Sequence, residues 1–450
     1  MNDRVIKNPD FKPEARTMKL IDRPNYQTIK YELPENKFAM VSHLGAVNYK
    51  KDGKFEPIDM TLVDHGTHWS TVKALYFPTI PKYADEWFEF RNVFEGNDHT
   101  IRVRPVAAHI LGVLGGEDKV VTYANAFGEG IDLEVHVLSS RLLRRVVIRT
   151  PRTEEISFDF EMEVDGKLRY ESVAREGAKK PITLKADLKG ERVEFEEGRT
   201  PTIIYPMRAW DSKEANPPEF IPFKFFVDRE RLHFRKTVGR EFLRKAVYPV
   251  YTDDDTGVTS PGTMADDDTV GTVAWANPDN AKLSNNTYAT VTPPYDPDTS
   301  HYLKATNFGF SIPAGATIDG ILVEIEKKIY GAPWDPVRDR EVKIVKSDGS
   351  IGATNRADTG TNWPGTDTYI SHGGAADLWG EAWSPADIND SDFGVVLAVG
   401  IAFEFDLPDT AFVDHIRITV YYTPVEKKHT FRLDPRPHTR MRFHPNLKLG

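Results

Sequence analysis

The segment Ile312-Pro-Ala-Gly-Ala-Thr-Ile318, continued by Asp377-Leu-Trp-Gly380, Phe393-Gly-Val395 and Asp414-His-Ile-Arg-Ile-Thr-Val-Tyr-Tyr422, decides the fold class of this chain. Near its end, Ile416, Ile418, Val420 and Tyr422 alternate with Arg417, Thr419 and Tyr421. A period of two marks a half-buried strand, because successive side chains of an extended chain point to opposite faces. The same alternation appears at Ile321, Val323 and Ile325, and at Phe393, Val395, Leu397 and Val399. Turns rich in Gly, Pro and Asn separate these runs. Residues 271–423 are therefore expected to form an antiparallel β-sandwich of jelly-roll type.

Working back toward the N-terminus, the pattern repeats. Ile131, Leu133, Val135 and Val137 alternate with Asp132, Glu134 and His136, and Ile156, Phe158, Phe160, Met162 and Val164 with Ser157, Asp159, Glu161 and Glu163. Lys51-Asp52-Gly53-Lys54 has the chemistry of a tight hairpin turn. A helix-like stretch near Lys236–Ala246 is short. The expected fold class is all-β: two antiparallel sandwich domains with an extended N-terminal arm and a basic C-terminal tail. The expected boundaries are 1–30 for the arm, 31–250 for the first sandwich region, 251–270 for a linker or opening strand, 271–423 for the jelly roll and 424–450 for the tail. No pattern is recognisable in the charged stretch 165–245.

Composition narrows the function. A chain of 450 residues exceeds what one core supports, so two or three domains are expected from length. The formal net charge of -10 argues against a whole-protein nucleic-acid binder. The chain has no cysteine, so disulfides and thiolate metal sites are excluded. No apolar run approaches the roughly 18 residues that a membrane helix needs. The first residues lack the apolar core of a signal peptide.

The candidate sites are few. Trp363, Trp379 and Trp383 fall in or beside loops near Asp and Asn, the residue set with which proteins hold sugars. They are candidate glycan contacts, while the rival reading, that Trp379 and Trp383 pack as loop plugs under the sandwich, is the one favoured. Asp253–Asp255 and Asp266–Asp268 are carboxylate clusters of the kind calcium takes, although they lack the spacing of a known calcium loop. His65 and His68 lack a third ligand in sequence. No nucleophile elbow, phosphate loop or dinucleotide fingerprint occurs, so neither catalytic nor cofactor-binding residues are assigned. In the tail, Lys427, Lys428, Arg432, Arg436, Arg440 and Arg442 are interleaved with Phe431 and Phe443. That mix suits an extended segment docking on a partner sheet.

Three further motifs carry a family resemblance. Phe55-Glu-Pro-Ile-Asp-Met-Thr-Leu62 resembles a turn found in sandwich modules of secreted and phage proteins. Tyr123-Ala-Asn-Ala-Phe-Gly-Glu-Gly-Ile-Asp-Leu133 is similar to their strand entry, with Ala124 as an extra residue, and Tyr248-Pro-Val-Tyr-Thr-Asp253 to their exit. Together with the segment around residues 312–422, the chain resembles virion structural proteins of tailed bacteriophages. The resemblance implies a non-enzymatic protein on the particle exterior, as head decoration, head fibre or tail-attached protein. Its implied partners are other virion proteins and copies of itself. A carbohydrate-binding adhesin that recognises a host-surface glycan is the alternative.

Overall fold

The computed structural model describes residues 18–94, 97–115, 119–165, 169–174, 178–196, 201–213, 219–258, 262–294, 297–329, 337–401 and 410–425. Strands dominate, as the alternation requires, and every pairing between them is antiparallel apart from one isolated bridge. The only described α-helices are the short Arg240–Lys245 and Pro385–Asn389.

The C-terminal sandwich packs a seven-stranded sheet on a four-stranded one, counted among the described residues. The alternating runs read from sequence supply its core. Ile321, Val323, Ile325, Ile416, Ile418 and Val420 face Leu303, Val342, Ile344, Val395, Leu397 and Val399 across the interior. From strand Ala289–Val291 onward, successive strands switch between the two sheets, the crossing pattern of a jelly roll.

The N-terminal segment corrects the expected boundaries. Lys19–Asp22, Thr28–Leu33 and Lys37–His43 are consecutive strands of the C-terminal domain's seven-stranded sheet. Lys37–His43 pairs with Arg417–Tyr422 in the register Phe38↔Tyr422 to His43↔Arg417. Residues 18–30 are thus part of a sheet rather than a free arm. The first sandwich is inserted between the N-terminal strands and the rest of the C-terminal domain. Met40 enters the C-terminal core, and Ser42 Oγ donates to the carbonyl of Phe308.

The inserted sandwich packs an eight-stranded sheet on an eleven-stranded one, again among the described residues. Phe88, Phe90 and Tyr76 meet Tyr123, Leu133, Val135 and Leu142 at one end of the interior. Phe158, Phe160, Phe223 and Phe234 meet Val146, Ile148, Val193 and Phe195 at the other. The charged stretch 165–245 supplies strands to both sheets, including Arg192–Glu196 and Arg231–Val238. The Lys51–Lys54 turn is a hairpin, with positive φ at Asp52 and Gly53 (49° and 81°). The expected linker 251–270 is mostly strand. Val250–Val258 pairs along Arg141–Ile148, and Thr263–Asp267 opens the four-stranded sheet.

Candidate functional site

The three candidate tryptophans pack against the C-terminal core, in line with the plug reading. Trp363 and Trp379 are 2% and 1% exposed and belong to the C-terminal core. Indole rings bury large apolar area but need a partner for their N–H. Trp363 Nε1 donates to Asp339 Oδ1 at 2.8 Å, and Trp379 Nε1 to the carbonyl of Ile321 at 2.9 Å. Trp383 is half-buried, donates to the carbonyl of Leu378 at 2.9 Å and meets Phe393 edge-on. A sugar needs an open ring face. Trp363 and Trp379 offer none, and the glycan assignment to these residues is withdrawn.

Around Trp363 the sequence hid a buried polar group. Lys327 Nζ lies 2.5 Å from Asp339 Oδ1 and 4.7 Å from the Trp363 ring centroid. His372 Nδ1 bonds the carbonyl of Arg356 at 2.9 Å, and its Nε2 stands 3.7 Å from Asp339 Oδ2. Burial lowers the pKa of both Lys327 and His372, with Asp339 opposing the shift in each. Lys327, Asp339 and His372 are all buried, and the group orders the sandwich core.

The acidic clusters are also committed to the protein. Asp254 is buried between Arg144 Nε and Lys236 Nζ, each at 2.7 Å. Asp253 Oδ1 accepts from the backbone N–H of Arg208 at 3.1 Å. The side chain of Asp255 lies outside the described set. Asp266 accepts from Trp275 N at 2.7 Å and contacts His301 Nδ1 at 2.9 Å, while Asp267 pairs with Lys304 at 3.0 Å. Asp254 and Asp267 already neutralise protein cations, which leaves neither cluster with three free carboxylates side by side among the described residues. Among the described residues no group of three or more His, Cys, Asp or Glu is placed to hold a metal ion. His65 and His68 stack on each other at 5.0 Å on the surface.

The docking-tail residues Lys427, Lys428, Phe431, Arg432, Arg436, Arg440, Arg442 and Phe443 lie outside the described residues. Two surfaces of the inserted sandwich stand out in their place. One is the apolar segment Val106–Leu114, where Val106, Leu111 and Val113 are 59%, 56% and 66% exposed. It borders an open cleft of about 450 Å³ lined by Val106, Ala108, Phe127, Ile156, Phe158 and Asp159. Exposed apolar side chains gathered in one place are a mark of contact surfaces. The signal was legible in the uncharged run from Val106 to Gly116, apart from His109.

The second surface is the outer face of the eleven-stranded sheet. Cross-strand register sets Glu134, Arg145, Asp253 and Arg208 in one alternating row. Beside that row Trp210 and Tyr251 lie parallel with ring centroids 5.7 Å apart. The Arg145 guanidinium sits 5.2 Å from the Trp210 ring and 5.8 Å from the Tyr251 ring. Sequence reading missed this patch, because Arg208–Trp210 lies in the charged stretch that showed no period.

No family model matches the chain, and no curated protein does. Among solved structures, the chain is similar to a crystal structure with a xylogluco-oligosaccharide, at 9% identity and a TM-score of 0.20, covering 87% of this chain and 96% of that one. It is also similar to the N-terminal tandem CBM22 domains of Paenibacillus barcinonensis Xyn10C, at 10% identity and a TM-score of 0.21, covering 78% and 99%. A third is the glycoside-hydrolase family 43 protein BlXynB of Bacillus licheniformis, at 10% identity and a TM-score of 0.14, covering 90% and 100%. Scores this low bear on neither fold nor ligand.

Proposed function

We propose that this chain is a non-enzymatic structural component of a tailed-bacteriophage virion, carried on the particle exterior and docked through its terminal segments. The family is suggested by the sequence motifs at residues 55–62, 123–133, 248–253 and 312–422. The observation that carries the structural role is the insertion architecture. The chain crosses twice between the two sandwiches, and its first strands are built into the sheet that its last strand Ala411–Thr423 completes. Such a chain tethers the inserted sandwich at both of its ends to the C-terminal domain. Val106–Leu114 supplies an apolar contact surface for a neighbour.

Removing residues 426–450 tests the docking. The truncated protein is expected to keep its fold by circular dichroism and to be missing from purified particles. Normal incorporation sinks docking through the tail.

A carbohydrate-binding adhesin is the second reading, favoured by the Trp210–Tyr251–Arg145 patch rather than by the core tryptophans. Binding to host-envelope polysaccharide that is lost in Trp210→Ala supports it. Absence of binding by the wild type removes it.

A further inference from the structure

The edge of strand Ala411–Thr423 is shared by two partners. Ala289–Val291 pairs with Ala411–Val413, and Lys37–His43 pairs with Arg417–Tyr422. Between them Asp414 is bulged out of register, and on this edge His415 bridges to Lys282. Gly45 N bonds the carbonyl of Lys282 at 2.9 Å, which closes the seam where the chain leaves for the inserted sandwich. A Cβ on Gly45 would come within 2.2 Å of Leu283, so the approach tolerates no side chain.

Two imidazoles are sealed at this seam. His43 and His415 stack with centroids 5.3 Å apart and planes 9° apart, and both are buried. The Nε2 atom of each has no hydrogen-bond partner. Tyr369 OH contacts His415 Nδ1 at 2.8 Å.

Several charged and titratable groups surround a proton placed there. On the same strand, Arg417 is held bidentately by Glu324 at 2.8 and 2.9 Å, which uses both carboxylate oxygens. From the N-terminal side Arg23 and Tyr31 face the seam. From the loop side Lys282 pairs with Asp279 at 3.0 Å, and Asp414 accepts from the N–H groups of Asn285 and Asn286. Glu326 is directly across from both His415 and Tyr369, and its Oε2 has no partner. Burial raises the pKa of the Glu326 and Asp414 carboxyls.

We propose that the His43–His415 seam is an acid-released latch: protonation of the stacked pair detaches the N-terminal strands Lys19–His43 from Ala411–Thr423 and uncovers the edge of the C-terminal sheet. Two like charges stacked in contact beside Arg417 repel one another while the seam is closed, and the nearby Glu324 is already committed to Arg417. Opening returns both rings to water, where they hold protons normally. An uncovered edge is a template for strand addition, so acid would convert a closed domain into one able to pair with another chain.

Hydrogen exchange in the full-length protein, corrected for its intrinsic pH dependence, tests this. Between pH 7.5 and 5, exchange of residues 19–43 is expected to rise by about thirtyfold for each histidine that must take up a proton on opening. The double variant His43→Gln/His415→Gln should lose that acid gain. Unchanged protection of residues 19–43 in the wild type overturns the latch, as does an equal acid gain in the double variant. If the double variant does not fold, NMR titration of the wild-type imidazoles decides. Rings that stay neutral until the strands open support the latch, and rings that titrate near 6.5 with the strands closed overturn it.

Discussion

Lys236 and Asp254 join the two sheets of the inserted sandwich through a 2.7 Å ion pair in which neither side chain is exposed. Arg144, directly across the strand pair from Asp254, approaches the other carboxylate oxygen at 2.7 Å. One buried anion therefore serves two buried cations. Breaking a buried pair from one side costs about 3–5 kcal/mol, because an uncompensated charge stays behind. Asp254→Ala is expected to destabilise by about that amount, since it removes the carboxylate that both cations approach. Lys236→Met should cost less, because Asp254 keeps Arg144. Denaturant unfolding of the two variants checks the order, and the reverse ranking would contradict this account of the core.

Trp363 is predicted to matter through its N–H as well as its ring. Trp363→Phe keeps an aromatic plug but removes the donor to Asp339 Oδ1. Losing a hydrogen bond to a charged group costs about 1.5–3 kcal/mol. A calorimetric loss in that range is expected.

Acid stability follows from the buried histidines. Desolvation, helped by Arg417, holds His43 down to about 3, and burial together with His43 holds His415 well below its ordinary value. A lowered folded pKa means that the unfolded chain binds more protons, so each ring's contribution is full above about 6.5 and falls as pH drops. The slope is about 1.4 kcal/mol per pH unit per ring below that point. The raised carboxyls of Asp414 and Glu326 act with the opposite sign, since their contribution is lost as pH rises. Comparing wild type with His43→Gln isolates the imidazole. The acid limb of the variant, measured by urea unfolding from pH 7 to 5, should be shallower by about one ring's slope.

The pairing of Lys37–His43 with Arg417–Tyr422 predicts that the C-terminal sandwich needs the N-terminal strands. A protein spanning residues 262–425 is expected to be aggregation-prone, with an open edge and a hole where Met40 packs. Supplying residues 18–44 as a separate chain should raise its soluble yield and melting temperature. A stable, monomeric 262–425 protein unaffected by that peptide would refute the dependence.

Much of the fold was legible because alternation survives wherever one face of a strand is wet. Ile131–Val137 and Ile416–Tyr422 read directly for that reason. Lys37–His43 did not, because Ala39, Met40, Val41, Ser42 and His43 are buried on both faces and no period remains. Its partner lies near the other end of the chain, and no local signal announces such a pairing. The acidic triplet at 253–255 misled for a related reason. Within a strand, adjacent carboxylates face opposite ways, so Asp254 enters the core while Asp253 stays on the outer face. For the loop tryptophans, sequence supplied a ring without a direction. Asp339 and the Ile321 carbonyl set that direction, and both are distant in sequence.

A place on the outside of a virus particle is a proposal that direct imaging can test. Its most direct test is immunogold electron microscopy of particles purified away from free protein, using antibodies raised against residues 18–425. The account predicts gold at regular positions on intact particles, and its loss when residues 426–450 are deleted. Unlabelled particles, from lysates in which the protein is present and soluble, would contradict it.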